Sequence, residues 1–363
     1  MMKQEHSWQS LDFYQNRELI KEIIVSIDQN HTPANNQWEF LYPVLDIFFL
    51  NKPIIFYILY RNEKAVLALP VTQTNQHKFF YRWSEVGFPY HSHINLISMT
   101  NKPSHAEMTS LLRNISTDGF KWDRFSIRHI FSPHEVDDID DDLKFYKTDY
   151  VAWFNTASNL SINDIVSKKH LRNIKRQEKK LLSEAGEIDF NCNKESLELS
   201  LSEFSELEHK GWKGKSGVAI YSSSELSDMY KIIAKNFGHN SMKVFQIRTK
   251  DTLLASALGF GLGNTLYIHK VSFSSHYSSF SPGNILLSKI LEYSIESKNL
   301  DIVNLVTFPK WAARWHPNKS PKNEIIIYNS TMKGLCLNLC IRLWRGNKPL
   351  LKRVIKAFKA IIS

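Results

Sequence analysis

Ser281-Pro282-Gly283-Asn284 sets a hydroxyl, an imino acid, a glycine and an amide directly before the apolar run ILL at 285–287. The first amides of a helix have no partner within it, and the helix dipole draws negative charge to that end. Proline at the first turn has no N–H to leave unpaired, and glycine admits close approach to the backbone. The four residues therefore suit a phosphate or pyrophosphate; an ordinary helix start is the plainer reading of the same letters. Just upstream, the strand-like TLYIHKVSF contains His269, a side chain suited to general-base work near neutral pH or to a structural hydrogen bond on a sheet surface. Alternation along a strand puts Tyr267, His269 and Val271 on one face and Lys270 on the other, where it binds an anion or is solvated.

A second group lies in ELEHKGWKGKSGVAI (206–220). Glu208 is a candidate base, although a carboxylate on a polar helix has solvent as its default surrounding. Trp212, held close to Gly211 and Gly214, is expected to wall a pocket or to pack in the core. The run SKKHLRNIKRQEKKLLSEAG (167–186) carries seven Lys/Arg against two Glu, with a thin apolar face of Leu171, Ile174, Leu181 and Leu182. That density is either a solvated face or a surface for an anionic partner such as a nucleotide sugar, a lipid phosphate or RNA. The stretch 332–363 has eight Lys/Arg and no acid. After Pro349, residues Leu350, Leu351, Val354, Ile355 and Phe358 follow helical spacing, the composition of an interfacial membrane helix or of a basic helix docked on the protein.

Positioning these residues takes an α/β framework. In the second half the pattern predicts a helix over 163–184 ended by Gly186, strand EIDFNC, helices over 195–210 and 223–237, strands MKVFQIR, LLASALGFGL and TLYIHKVSF, a helix over 284–298, strand DIVNLV, the short PKWAARW and strand NEIIIYN. This is an antiparallel meander feeding a strand–loop–helix unit. The first half reads as a helix over LDFYQNRELIKEIIVSI, strands PIIFYILYR, KAVLALPVTQ and INLISM, and strands DRFSIRHI and YVAWFN on either side of the acidic run EVDDIDDD (135–142), which is a connection between lobes or a loop inside one.

The chain has 363 residues, 43% hydrophobic and 23% charged, which excludes global disorder and allows two domains. Three cysteines make neither a disulfide framework nor a four-ligand zinc site. The N-terminus lacks the pattern of a secretory signal, and the early apolar stretch LDIFFLNKPIIFYILY is broken by Asn51, Lys52 and Pro53, short of the roughly 20 apolar residues of a membrane span. A cytoplasmic location is expected. Residues 1–150 hold 15 Lys/Arg against 19 Asp/Glu, a net −4, while 151–363 hold 31 against 17, a net +14, so anionic partners are expected at the second half.

Four segments in order resemble the GNAT acyltransferase superfamily, specifically its CelD-like branch of polysaccharide-cluster acetyltransferases. They are the basic helix 167–186, ELEHKGWKGKSGVAI against Leu-Glu-x-x-Gly-Trp-Lys-Gly-x-x-Gly-Thr-Ala-Ile, HKVSFSSHYSSFSPGNILL against a Lys, Tyr-Asp-Glu, an aromatic and Ser-Pro-Gly, and PKWAARW. The resemblance implies an α/β (α+β) architecture of two tandem GNAT-like lobes with mixed, largely antiparallel sheets: 1–150, then 151–330 with the acyl-CoA site, followed by a basic amphipathic helix over 331–363. It implies acetyl-CoA or another acyl-CoA as co-substrate and no metal. The pyrophosphate is then expected at Ser281, Pro282, Gly283 and Asn284, and the thioester along Tyr267–Phe273. His269 and Glu208 are the candidate bases, Tyr277 a proton donor to the leaving thiolate or a loop-packing residue, and Trp212, Lys213, Lys270 and Lys310 the acceptor contacts.

Phe273-Ser274-Ser275 stands where the family has Tyr-Asp-Glu, and Leu305 to Phe308 replace a glycine and an acid, so no base is assigned at either place. The expected acceptor is an amine or hydroxyl of an amino sugar, free or on a lipid-linked glycan, in cell-envelope polysaccharide assembly. Two rivals stay open: a Fem-type aminoacyl transferase using charged tRNA, favoured by the basic second half, and a non-catalytic scaffold at the membrane, favoured by the missing acidic pair.

Overall fold

Runs of Val, Ile, Phe and Tyr in both halves of the chain pair into one mixed sheet in the computed structural model, which describes residues 6–27, 37–50, 52–78, 81–87, 97–98, 104–131, 145–193 and 195–346. The first half supplies β1 (His6–Asp12), α1 (Arg17–Ser26), α2 (Trp38–Phe48), β2 (Ile55–Arg61), β3 (Lys64–Lys78), β4 (Tyr81–Gly87), β5 (Ile97–Ser98), α3 (His105–Thr117), β6 (Arg124–Phe131) and β7 (Phe145–Asn155). The second supplies α4 (Ile162–Ile165), α5 (Lys168–Ala185), β8 (Asp189–Cys192), α6 (Leu197–Lys210), α7 (Trp212–Lys215), α8 (Ser224–Ser241), β9 (Met242–Arg248), β10 (Leu253–Leu262), β11 (Thr265–Phe273), α9 (Pro282–Glu296), β12 (Ile302–Asn304), β13 (Asn318–Tyr328) and α10 (Met332–Gly346). The acidic run 135–142 and the apolar positions 350–358 lie outside the described residues.

The strand order is β1-β2-β3-β4-β6-β13-β7-β12-β11-β10-β9-β8, with β5 on β3. Late strand β13 returns to lie antiparallel between β6 and β7 of the first half. The expected division at 150/151 falls inside β7, which pairs with both β12 and β13, so the sheet crosses it without a break.

Local chemistry explains where the elements depart from the sequence pattern. The helix expected from residue 11 starts only at Arg17, because Leu11 and Asp12 finish β1 and the Asp12 carboxylate holds the amides of Tyr14 and Gln15. The helix expected over 163–184 is α4 and α5, parted at Val166-Ser167, with the Ser167 hydroxyl accepting from the His170 amide to cap α5. The segment WEFLYPVLDIF, not anticipated as a helix, is α2 with Pro43 inside it. Proline there has no N–H for the Glu39 carbonyl, and Asn236 Nδ2 on α8 donates to that carbonyl instead at 3.1 Å.

This bond sits on a core shared by the two halves. Phe40 of α2 meets Phe260 of β10 edge to face with ring centres 5.8 Å apart, and one contiguous apolar cluster runs from α1, α2 and β2 into α6, α8, β9 and β10. A second core lies on the other face of β10 and β11, under α5 and α9, and a third packs α3 on β2 and β3. Phe40 is only 5% exposed. Phe40→Ala is expected to cost about 3–5 kcal/mol, read from the urea midpoint of unfolding.

Candidate functional site

The parallel pairing of β11 with β12 lasts only from Thr265 to Tyr267, opposite Ile302 to Asn304. Beyond it the strands part. On the β12 side the Asn304 carboxamide oxygen accepts from the Val306 amide at 2.7 Å, and Val306 takes φ +60°, a left-handed conformation that β-branched residues rarely adopt. The Leu305 amide turns to the Ala152 carbonyl of β7 at 2.8 Å. The chain after Asn304 therefore follows β7, and β11 has no further pairing with β12 beyond Tyr267.

On the β11 side, Leu258 pairs with Lys270 while Gly259 pairs with Ile268, so His269 is one residue too many and forms a β-bulge. Gly259 fits this place because a Cβ would stand 3.0 Å from the Tyr267 carbonyl. The bulge resets which face each side chain takes. Leu266, Ile268 and Val271 join the core under α5 and α9, whereas Tyr267, His269 and Lys270 face α6 and α8. The simple alternation predicted from sequence is corrected here: Lys270 shares the face of His269, and Val271 leaves it.

On that face four elements converge. Glu208 of α6 is completely buried, not solvated as its polar helix suggests. Its carboxylate accepts from Lys213 Nζ at 2.8 Å, from Lys270 Nζ at 3.1 and 3.4 Å, and from the Ile220 amide at 2.9 Å. Lys213 reaches it because Gly211 ends α6 and α7 turns back at once, where a Cβ on Gly214 would collide with the His209 carbonyl. Lys213 Nζ also donates to the Val271 carbonyl at 3.1 Å, tying α7 to β11. Burial alone would raise the Glu208 pKa; the charges of Lys270 and Lys213 and the bonds from Lys213 and Ile220 outweigh it and hold the carboxyl below the usual carboxylate range. Burial lowers the pKa of Lys270, only partly offset by Glu208.

Beside this pair, the Tyr230 hydroxyl of α8 lies 2.8 Å from His269 Nε2. Burial, reinforced by the Glu208 charge, raises the Tyr230 pKa well above its ordinary value, so the phenol keeps its proton. The Lys270 ammonium sits 5.6 Å from the centre of the Tyr230 ring. Phe40 and Phe260 close on the His269 ring edge to face, so the imidazole is bounded by both halves of the chain. Tyr230 carries no motif of its own in the sequence; only the packing of α8 on β11 brings it here.

The other expected residues fall on the opposite face or at the surface. Ser281 takes φ +54° and starts α9, with Pro282 as its first residue. The amides of Asn284 and Ile285 donate to the Ser281 carbonyl, the Ser281 amide donates to Ser278, and the Asn284 side chain accepts from Trp315 Nε1 at 3.2 Å. Gly283 is then the first-turn residue whose amide makes no bond among the described residues. Ile268, Val271, Gly283, Leu287, Leu305 and Trp311 line a narrow apolar slot running from this turn to the parted strands. Trp315, completely buried and met edge-on by His170 at 4.9 Å, fixes the start of α9 and was not singled out from sequence. Tyr277 is half-buried in the turn Ser275–Phe280, packed toward the α5 and α9 core and not toward His269. Trp212 is 69% exposed, which removes core packing as its role, and Lys310 is exposed beside Trp311.

In a roomier cavity between β8 and α9, lined by Phe190, Cys192, Lys289 and Tyr293 among others, burial pushes the Cys192 thiol up to about 11, and Lys289 is paired with Glu178 and Glu292. Among the described residues no group of His, Cys, Asp and Glu is arranged to hold a metal ion, and no helix is long and apolar enough to cross a membrane.

Residues 168–308 match the model of the GNAT acetyltransferase domain. No curated protein matches the sequence. Among solved structures, FemX superposes with a TM-score of 0.54 at 10% identity over 88% of this chain and 97% of its own. The C-terminal domain of a candidate lysylphosphatidylglycerol synthetase from Agrobacterium fabrum superposes with a TM-score of 0.51 at 13% identity over 88% and 95%. A tandem GNAT protein from the clavulanic acid biosynthesis pathway gives 0.48 at 9% over 89% and 98%. The match places the GNAT domain at residues 168–308 and supports an acyltransferase, and the superpositions on FemX and the synthetase domain show a shared fold over most of the chain.

Glu208→Gln keeps the shape of the buried site and leaves Lys213 and Lys270 without a counter-charge, a loss expected to cost about 3–5 kcal/mol at neutral pH. Because the folded pKa of Glu208 lies below its unfolded value of about 4.3, its stabilisation is full above that value and is lost as pH falls through the folded pKa. The stability gap between the native protein and Glu208→Gln, measured by urea unfolding, should close over that acidic window.

Proposed function

We propose that the protein transfers an acyl group, acetyl in the simplest case, from acyl-CoA to an amine or hydroxyl of an amino sugar or similar acceptor in cell-envelope polysaccharide assembly. The observation that carries this reading is the parting of β11 from β12 directly beside the first turn of α9. The co-substrate supplies an activated thioester. The residues fit it: the Gly283 amide and the dipole of α9 suit a pyrophosphate, and the edge that β11 turns away from β12 after Tyr267 suits the amide groups of its linker.

On the α6 and α8 face, His269 is the group we assign to take the proton of the attacking amine or hydroxyl. Tyr230 orients the imidazole through its hydroxyl. Glu208, buried and saturated by four hydrogen bonds, acts by holding Lys213 and Lys270 in place, and Lys270 adds positive charge beside the thioester oxygen or an anionic part of the acceptor. Tyr277, on the α5 and α9 side of the sheet, retains the assignment of proton donor to the leaving thiolate.

A second reading is favoured by the superposition on FemX over 88% of this chain and by the net positive second half: aminoacyl transfer from charged tRNA. Both readings place an activated acyl group in the same opening, and binding separates them. Calorimetry should show acetyl-CoA or a longer acyl-CoA binding at micromolar level. A Cβ on Gly283 meets only Phe273 Cδ1 at 3.5 Å, so Gly283→Asp fits the fold and places a negative charge in the turn. It should weaken CoA binding by about tenfold or more, roughly 1.4 kcal/mol. Salt-sensitive binding of charged tRNA with no CoA ester bound would decide for the second reading. His269→Ala should lower kcat about 100-fold or more with CoA binding retained; Tyr230→Phe should lower kcat less and leave the Kd for CoA unchanged.

A further inference from the structure

Helix α10 has two unlike faces. One is fastened to the end of the sheet: Leu337 is 4% exposed, Lys333 Nζ pairs with Asp123 at 2.9 Å, and Gly334 lies so close to Asn329 that a Cβ would collide with its carbonyl. Asn329 is itself held by its Nδ2 donating to the Trp122 carbonyl at 2.9 Å. The other face is apolar and bare. Met332 is 79% exposed, Leu335 52% and Leu339 59%, with the thiols of Cys336 and Cys340 exposed among them. At 3.6 residues per turn these five positions fall within an arc of roughly 140°. Three large apolar side chains on one arc of a docked helix form a contiguous strip, unlike the scattered exposed leucines of an ordinary surface.

Charge says what covers it. From Asn329 to Ser363 the sequence has no Asp or Glu and eight Lys/Arg. Seven of the eight follow Ile341 in the sequence, so two copies brought together along this segment would bring like charges together, and a nucleic acid would leave the apolar strip in water. An anionic bilayer surface answers both features, with apolar side chains entering the acyl boundary and lysine and arginine meeting the headgroups. A helix of 15 residues spans about 22 Å at 1.5 Å per residue, too short and too basic to cross the membrane. We propose that α10 docks flat on an anionic lipid surface through Met332, Leu335 and Leu339. The location is compatible with turnover: β13 runs from Asn318, opposite Trp153 and near the parted strands, to Tyr328, which is followed by α10, a length of about 35 Å at ~3.3 Å per residue. The contact is thus made at the far end of that strand, and the opening stays uncovered.

Co-sedimentation of the full chain with vesicles tests this. Binding to vesicles containing phosphatidylglycerol should be at least about tenfold tighter than to phosphatidylcholine alone and should weaken with added salt. Leu335→Glu with Leu339→Glu, both at exposed positions, should fold normally and lose about tenfold or more of that affinity. Val25→Glu, at a 52% exposed position on α1, should change nothing. An environment-sensitive maleimide on Cys336 and Cys340 should shift to the blue when anionic vesicles are added. Equal binding to both vesicle types, or undiminished binding by the double glutamate variant, would overturn the assignment. So would a solution dimer that the double variant converts to monomer, which would give the strip to a second copy.

Discussion

A continuous sheet resists opening in its middle, because parted strands give up a row of hydrogen bonds that burial makes expensive to lose. Everything at the candidate site follows from how this chain meets that constraint between β11 and β12. Each strand is turned away by its own device. His269, as an extra residue, bends β11, and Val306, in the left-handed region with its amide held by Asn304, swings the chain after β12 onto β7. Neither device would suffice alone. A bulge without the turn at Val306 would leave β12 free to follow β11, and the turn without the bulge would leave Lys270 facing the wrong core.

The bulge also brings the partly buried Lys270 to the carboxylate of Glu208, which Lys213 of α7 already meets. Burying a lone carboxylate is costly, and two lysines brought to one carboxylate leave the cluster with one net positive charge. That arrangement is tolerable because Glu208 receives four hydrogen bonds and because Lys213 has a second acceptor in the Val271 carbonyl. The excess positive charge sits beside the stretch of β11 that β12 leaves, where a thioester oxygen or an anionic acceptor can use it. Replacing the cluster with apolar residues would serve stability equally well or better, so its cost is more readily understood as serving the site than the fold.

Much of the framework was legible in the sequence. MKVFQIR, LLASALGFGL and TLYIHKVSF form β9, β10 and β11 with the expected ends, since alternation and tight turns at Thr249–Asp251 and Gly263-Asn264 are local signals. Ser281-Pro282-Gly283 does open a helix, for the reasons its residue types suggest. What was not legible is non-local. Nothing in TLYIHKVSF marks His269 as a bulge, and a one-residue slip is enough to move Lys270 to the other face. Glu208 reads as solvated because the residues that bury it, Lys270 and Ile220, are brought in by other elements. Tyr230, 39 residues from His269 in sequence, has a role only once α8 lies on β11. Pro43 sits inside a helix that its residue type disfavours, and the carbonyl it leaves free is met from a helix almost two hundred residues away.

That last contact bears on what the first half is for. Among the described residues it contributes none to the Glu208 cluster, yet Phe40 of α2 closes one side of the His269 imidazole while Phe260 closes another. The Asn236 bond to the carbonyl freed by Pro43 fixes α2 against α8, the helix that carries Tyr230. The ring of His269 is thereby held by a hydrogen bond from one half of the chain and by an aromatic edge from the other. Return of β13 between β6 and β7 ties the two halves through the sheet as well, so α2 has little freedom to leave without disturbing strands on both sides of the opening. The first half then meets the site by packing: Phe40 covers one side of the imidazole, and a second half alone would keep Tyr230 and Phe260 on the ring but leave that side open.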